Sequence, residues 1–433
     1  MEEFKFGLLP VGEFNFHVKD IGDVHEKSSI FKDDGYIARS LIASSVLFAF
    51  HASAATSYFE ARNDAMGGTG VASSHYGAAP LANPALLTKH NGSDDFSLIL
   101  PSVGAQLSDP DDISGKADNA RDDWNRFDRA VDSRTGVEQA AASLKNRLQD
   151  FRNIHADAQV GISAVAAVPL DALPFALSVK SWGTVSVDGK VSDHDMAYLD
   201  QVVNGTIKPE DVDQNALTSR AFGRAAVITD VGVSFAREFE TTGRKWSLGV
   251  TPKYQRVDLF NYNVSVQDYD KSDFSKDRYH NTKNGFNADI GAYTDLTDNW
   301  TLGLVAQNII PRSIDSREVN GSTETFKVRP QSTAGISWHN DDFITTALDV
   351  DLTPASGFVS DDKRQFAAIG AEVNAWKWAQ LRAGYRQNMA SGNGSAFTAG
   401  IGISPFDVVH IDVSGLVGTD RTYGAIAQLQ FTF

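Results

Sequence analysis

An all-β transmembrane barrel of about fourteen antiparallel strands is the fold this sequence predicts, on three observations. The chain closes with a strand of alternating polarity and a final aromatic. The connections between strand-like segments alternate between long and short. Tryptophans gather beside the short connections. In residues 422–433 the apolar row is Tyr423, Ala425, Ala427, Leu429, Phe431 and Phe433. Gly424, Gln428, Gln430 and Thr432 fall between them, and Ile426 is the one apolar exception. A period of two sends the two rows to opposite faces of a strand.

Composition permits such a barrel. The chain has 433 residues, no cysteine, 42% hydrophobic residues and a formal charge of −16. The absence of thiols suits an oxidising compartment and excludes thiolate metal sites and thiol redox chemistry. The acidic balance disfavours nucleic acid as a partner. A mean hydropathy of −0.25 is compatible with a barrel, because only every second strand residue faces lipid.

At the N-terminus, Leu41 to Phe50 is a short apolar core preceded by Arg39 and followed by His51, Ala52, Ser53, Ala54 and Ala55. That is the pattern of a secretory signal peptide over 36–55, cleaved after Ala54 or Ala55. Residues 1–35 are mixed and charged, unlike a usual leader. They read as a start assigned too early or as an N-terminal extension.

From residue 93 to 433 the sequence reads as strands. Short connections fall at 170–174, 238–245, 297–299, 339–342, 374–377 and 404–407; long ones at 109–155, 189–220, 268–284, 310–325, 354–363 and 389–395, with a tight turn at 418–420. An even strand count puts both ends on the short-turn side, and short periplasmic turns opposite long outer loops mark outer-membrane barrels. Faces separate cleanly. Leu302 and Leu304 oppose Thr301 and Gly303; Leu348 and Val350 oppose Asp349 and Asp351; Leu381, Ala383 and Tyr385 oppose Arg382 and Arg386; Val409, Ile411 and Val413 oppose His410 and Asp412. Of seven tryptophans, Trp246, Trp300, Trp338, Trp376 and Trp378 lie near short turns, where an interfacial girdle is expected. Helical insertions are expected near 110–155 and 190–220. Trp124, Phe127, Val131, Leu144, Leu148 and Phe151 recur there at helical spacing. Such helices would cap the mouth or capture ligand.

Residues 56–92 are neither strand-like nor of disordered composition, and are expected to fold into the bore as a hatch, or plug. The segment carries Gly67, Gly68 and Gly70, then Asn83, Pro84 and Ala85. As a phosphate cradle it fails, since no lysine follows and no strand precedes it. The glycine pair and the Asn-Pro-Ala run ahead of the first strand resemble the hatch of the FadL/TodX family. The runs 61–72 (ARNDAMGGTGVA), 348–353 (LDVDLT) and 381–386 (LRAGYR) more closely resemble the conjugal transfer TraF-like, non-thioredoxin members of that outer-membrane superfamily. The resemblance implies a fourteen-stranded channel that passively takes up long-chain fatty acids or similar hydrophobic molecules, with a hatch that shifts and a sideways exit through a kinked strand. It also implies the outer membrane as location, the lipid bilayer and lipopolysaccharide as surroundings, and assembly machinery that reads Phe433.

The inward charges Lys253, Asp289, Asp349, Asp351, Glu372, Arg382, Arg386 and Asp412 are expected to pair with one another or with plug backbone. Alternatively, Arg382 or Arg386 holds a ligand carboxylate. Pro252 interrupts a strand and is the candidate for a wall opening, or else a plain bulge. His410 and Asp412 lack a serine nucleophile motif, and the histidines lack ligand spacing. No catalysis, metal or cofactor is expected, and the protein is expected to be a monomer. The alternative to uptake is a structural or conjugation-associated surface barrel without transport.

Overall fold

The computed structural model describes residues 59–433 except 93, 110, 153, 242, 266–275, 341–342, 362, 377, 392–393, 407 and 420. The expected leader and extension lie outside the described residues. The strands are β1 Ser97–Ser108, β2 His155–Val168, β3 Phe175–Lys190, β4 Arg220–Thr241, β5 Arg244–Ser265, β6 His280–Asp295, β7 Trp300–Gln307, β8 Arg312–Asp315 and β9 Thr325–Val328. They continue with β10 Gln331–Asn340, β11 Ile344–Asp351, β12 Gly357–Phe358, β13 Phe366–Trp376, β14 Ala379–Asn388, β15 Ala396–Ile403, β16 Val409–Gly418 and β17 Thr422–Thr432. Fourteen of these form one closed antiparallel barrel, and β8, β9 and β12 make a separate three-stranded sheet. Closure comes from β1, which pairs with β2 on one edge and β17 on the other, so no edge is left unpaired.

Alternation along each strand builds two walls. In β7 every second residue from Trp300 to Leu304 faces out, while Thr301, Gly303 and Val305 are buried. In β17 Tyr423, Ala425 and Ala427 face out and Gln428 and Gln430 face in. Ile426, the exception in the apolar row, is inward and packs on Phe59 and Ala61. Trp246, Trp300, Trp376 and Trp378 are exposed at the short-turn rim, and the last two stack at 5.8 Å. Exposed Tyr254 and Phe286, 5.8 Å apart, mark the opposite rim. From Trp246 to Tyr254 is about 27 Å of strand, or about 21 Å along the normal at a tilt of about 40°. That matches the apolar band of an outer-membrane barrel.

β4 and β5, at 22 residues each, continue well beyond this band on the long-loop side. Three helices stand there: Ile113–Ser133, Val137–Asp150 and Asp193–Val203. The first ends at Arg134 and the next starts after Gly136, both left-handed, which reverses the chain. Trp124, Phe127, Val131, Leu144, Leu148, Leu199 and Leu217 form their shared core. The sheet of β8, β9 and β12 folds inward instead, burying Ile314, Phe326, Val328 and Phe358 against Trp182, Ile228, Val257 and Leu259 of the wall. Sequence spacing gave no sign of this inner sheet.

Pro252 interrupts the wall on one side only. It faces outward in β5, and pairing to β6 runs through it (Pro252 opposite Ala288). Only the ladder to β4 lapses, between Gly232/Lys253 and Phe235/Val250, with register unchanged. A missing N–H removes one bond without inserting a residue, and Ser234 Oγ and Thr251 Oγ1 bridge the lapse at 2.7 Å. A register shift on both edges of a strand is found in β1, besides one between β13 and β14 at Asn374/Trp376. Between Ile99 and Ser102, around Leu100 and Pro101, one extra residue is accommodated against both β2 and β17, a bulge that re-aims the strand.

Candidate functional site

The candidate site is the bore where residues 59–92 meet the inner wall. Helix Ala61–Ala65 is capped by Glu60, whose carboxylate accepts from the Asn63 amide at 2.7 Å. The chain then turns through Gly67 (φ +80°) and Gly68 (φ +93°), a conformation that favours glycine. Asn83, Pro84 and Ala85 form the start of a 3-10 helix, Pro84–Thr88. Asn83 caps it by accepting from the Ala85 amide at 3.1 Å, and Pro84 occupies the first position, where no N–H is needed. The Asn83 amide group donates to Val71 O (2.8 Å) and Ala292 O (3.1 Å), tying the cap to the wall. Ala85 O accepts from Ser247 Oγ at 3.0 Å. Leu81, Leu86 and Leu87 then join Ile99, Val165, Ala176 and Tyr293 in one apolar core.

Wall glycines let the backbone come this close. A methyl added at Gly249 would stand 2.3 Å from Ala85 N, and one at Gly291 1.9 Å from Asn83 Oδ1. Gly303 meets Val71 O at 2.4 Å, Gly370 meets Met66 O at 2.2 Å and Gly384 meets Gly67 N at 2.2 Å. Gly104 and Gly161 flank the Phe59 ring. These wall glycines form a groove in which the plug backbone lies. The sequence reading overlooked them, although glycines at inward positions of consecutive strands were the available signal.

Polar contacts lock the groove. Gly67 N donates to Thr398 Oγ1 at 2.9 Å, and Gly70 N and Val71 N both donate to Asp349 Oδ2 at 2.8 and 2.9 Å. Gly68 N stays within the plug, on Asn63 O at 2.8 Å. Asp351 accepts from Thr333 Oγ1 at 2.7 Å and from Phe366 N at 2.9 Å.

All eight candidate charges face the bore, but they divide into separate groups. Glu372 receives Arg62 of the plug through two bonds of 2.8 and 2.9 Å and Arg382 at 2.6 Å. Arg382 also pairs with Asp412. This is a buried bidentate network across plug and wall, and both sides of Arg382 are consumed by it. Lys253 pairs with Asp289 at 2.8 Å and Asp230 at 3.1 Å, and Lys180 lies 3.8 Å from both carboxylates. Sequence reasoning missed Arg62, which reaches Glu372 from the plug, and Lys180 and Asp230, which are register partners on the adjacent strands β3 and β4.

Arg386 differs. Its side chain is 1% exposed. Nη2 donates to Gln106 Oε1 at 2.9 Å and Nη1 lies 3.7 Å from Asp64, while Nε and Nη1 have no hydrogen-bond acceptor. It lines a cavity of about 30 Å³ with Gly67, Gly68, Asp349, Asp351 and Phe366, space for little more than a water. His410 bonds Ser404 Oγ at 2.7 Å. Among the described residues, no group of His, Asp or Glu has the arrangement of a metal site.

The toluene transporter TbuX of Ralstonia pickettii superimposes with a TM-score of 0.51 at 14% identity, over 87% of this chain and 99% of TbuX. The toluene transporter TodX of P. putida gives a TM-score of 0.46 at 13% identity, over 87% and 97% of the two chains. At this identity the TbuX likeness establishes the fold alone, a closed fourteen-stranded antiparallel barrel. By sequence, no curated protein matches. The sequence profile described as "F plasmid transfer operon, TraF, protein" matches residues 80–351, more than half of the chain. The chain therefore belongs to this TraF family.

Proposed function

We propose that the protein is an outer-membrane channel for passive uptake of hydrophobic small molecules, seen here closed. The β1 bulge carries this reading. At Leu100 and Pro101 both flanking ladders shift register, and Ser102 Oγ just beyond it holds Phe59 O of the plug at 2.8 Å. An apolar molecule leaving the bore sideways needs a weak point in the wall next to the plug, and the bulge supplies one. The wall-opening role first assigned to Pro252 is accordingly moved to Pro101. Long-chain fatty acid or hydrocarbon is the proposed substrate class, and no catalytic step or cofactor is involved. Uptake of labelled fatty acid and of toluene, in cells with and without the chain, tests this. The reading also requires that Pro101→Ala, which restores an N–H at the bulge, slows uptake. Equal uptake with and without the chain, across several hydrophobic substrates, would defeat it.

A second reading, a conjugation-associated barrel without transport, is favoured by the filling of the bore. The plug, the Glu372 network, the Lys253 group and the inner sheet occupy it in succession. Loss of plasmid transfer with unchanged uptake in cells lacking the chain would select that reading.

A further inference from the structure

The inner sheet conceals a surface unlike the rest of the bore. Trp182, Ala226, Ile228, Val257 and Leu259 project inward as an apolar patch above the Lys253 group. Phe326 of β9 packs against Trp182 with ring centroids 6.4 Å apart. Phe358 of β12 then closes over Phe326, edge to face at 5.1 Å. The two aromatic partners are held differently. The β8–β9 hairpin is anchored to β5, because the Asn261 side-chain amide donates to Arg317 O and Ser322 O at 2.9 and 2.8 Å, and Asn263 donates to Val319 O at 3.3 Å. The connection 352–365 that carries Phe358 pairs with β9 through only two residues, Gly357 and Phe358. That pairing is extended by Val359 N to Thr325 O at 2.9 Å and Ser360 Oγ to Glu324 at 2.6 Å, and flanked by Arg329 N to Ser356 Oγ at 3.0 Å and Arg329 Nη1 to Ala355 O at 2.9 Å. Its hold on the wall is polar. Asp361 accepts from Arg224 Nε at 2.7 Å and from Ser186 Oγ at 3.1 Å. Arg224 also pairs with Asp188.

We propose that residues 357–361 are a strap, that Phe358 stands in for a ligand, and that the Arg224–Asp361 pair is the latch. When the strap lifts, the place that Phe358 leaves over Phe326 accepts an uncharged apolar molecule with a ring face. The chain's own phenyl group shows what that place takes: a flat apolar ring, edge to face with one aromatic ring inside an apolar cluster. This deepens the uptake reading and rests on it by giving the channel a binding station on the long-loop side. Binding itself can be measured apart from transport.

The test uses the full chain in nanodiscs and the uncharged probe N-phenyl-1-naphthylamine, read as fluorescence above that of empty nanodiscs. The chain has no cysteine, so a Ser186→Cys, Asp361→Cys pair is chemically unique. Reduced, this variant binds the probe; oxidised, it clamps the strap and binding is lost, returning with dithiothreitol. Asp361→Asn, which keeps the shape of the side chain, binds about tenfold or more tightly than the parent, because a charge-assisted bond no longer favours the closed strap. Heat-modifiable gel mobility confirms that each variant forms a barrel. Equal binding by the oxidised and reduced pair overturns the strap, as does Asp361→Asn binding no better than the parent. Normal binding behaviour without uptake in cells would leave the strap standing and remove the channel.

Discussion

Gly384→Ala tests the groove directly. The new methyl would stand 2.2 Å from Gly67 N and 2.3 Å from Met66 C, both backbone atoms of a turn fixed by positive φ at Gly67 and Gly68. No flexible side chain can give way, so the plug backbone must retreat from β14. Overpacking of this kind costs about 1–3 kcal/mol. If the strain falls on the plug alone, local opening of residues 66–70 rises by about 5- to 150-fold. Amide exchange at Gly67, Gly68 and Gly70, followed by mass spectrometry, reads this directly. Gly67 N and Gly70 N should lose protection together, since their acceptors are Thr398 and Asp349 of the wall. Gly415→Ala is the matched control, because the nearest atom to its added methyl is Gly424 O at 3.9 Å. The barrel should keep its heat-modifiable mobility in both variants. Unchanged plug exchange in Gly384→Ala, or an effect equal to that of Gly415→Ala, would refute the claim that wall glycines seat the plug.

Four further outcomes are expected. Glu372→Gln leaves Arg62 and Arg382 buried without their shared carboxylate, and should cost about 3–5 kcal/mol in urea unfolding; a loss below about 1 kcal/mol contradicts the network. Arg386→Met removes a buried cation whose Nε and Nη1 are unbonded, so stability should stay within about 1 kcal/mol of the parent or rise. Arg382→Met, by contrast, should fall as far as Glu372→Gln. Burial alone would raise Asp195, but hydrogen bonds from Ser219 and Thr218 prevail and hold its carboxyl below the usual range. A depressed folded value means that its contribution is complete above the unfolded carboxylate range and disappears as pH falls through the folded value. Protection of the Thr218 and Ser219 amides should therefore fall on acidification below about pH 4, and Asp195→Asn should abolish that dependence. Deletion of Phe433 removes bonds to Phe96 and Asp95 at the closing seam, and should lower the amount of heat-modifiable barrel recovered from membranes.

The fold was legible because period two is a local property. Leu302 and Leu304 against Thr301 and Gly303 needed no knowledge of neighbouring strands, and loop lengths and rim tryptophans can be read along the chain. The plug was legible from its glycines and from Asn83-Pro84-Ala85, whose capping chemistry is also local. The bore was not. Glu372 and Arg382 are register partners on adjacent strands, but Arg62 reaches them from the other end of the sequence, and only closure supplies that contact. Sequence reasoning singled out Pro252 and overlooked Pro101, although both are strand prolines. What separates them is whether the partners keep register, a property of three strands together. The inner sheet was hidden because β8, β9 and β12 are two to four residues long, too short for periodicity to register.

The β1–β17 seam has a consequence for biogenesis. Residues 59–92 leave the ribosome before any wall strand, yet their hydrogen-bond acceptors on Asp349 and Thr398 are translated hundreds of residues later. Until β11 and β15 arrive, the turn at Gly67 and Gly70 lacks its wall acceptors, and once β17 zips onto β1 the bore is shut around it. Its capture must come in the interval between, while the cylinder is still an open sheet.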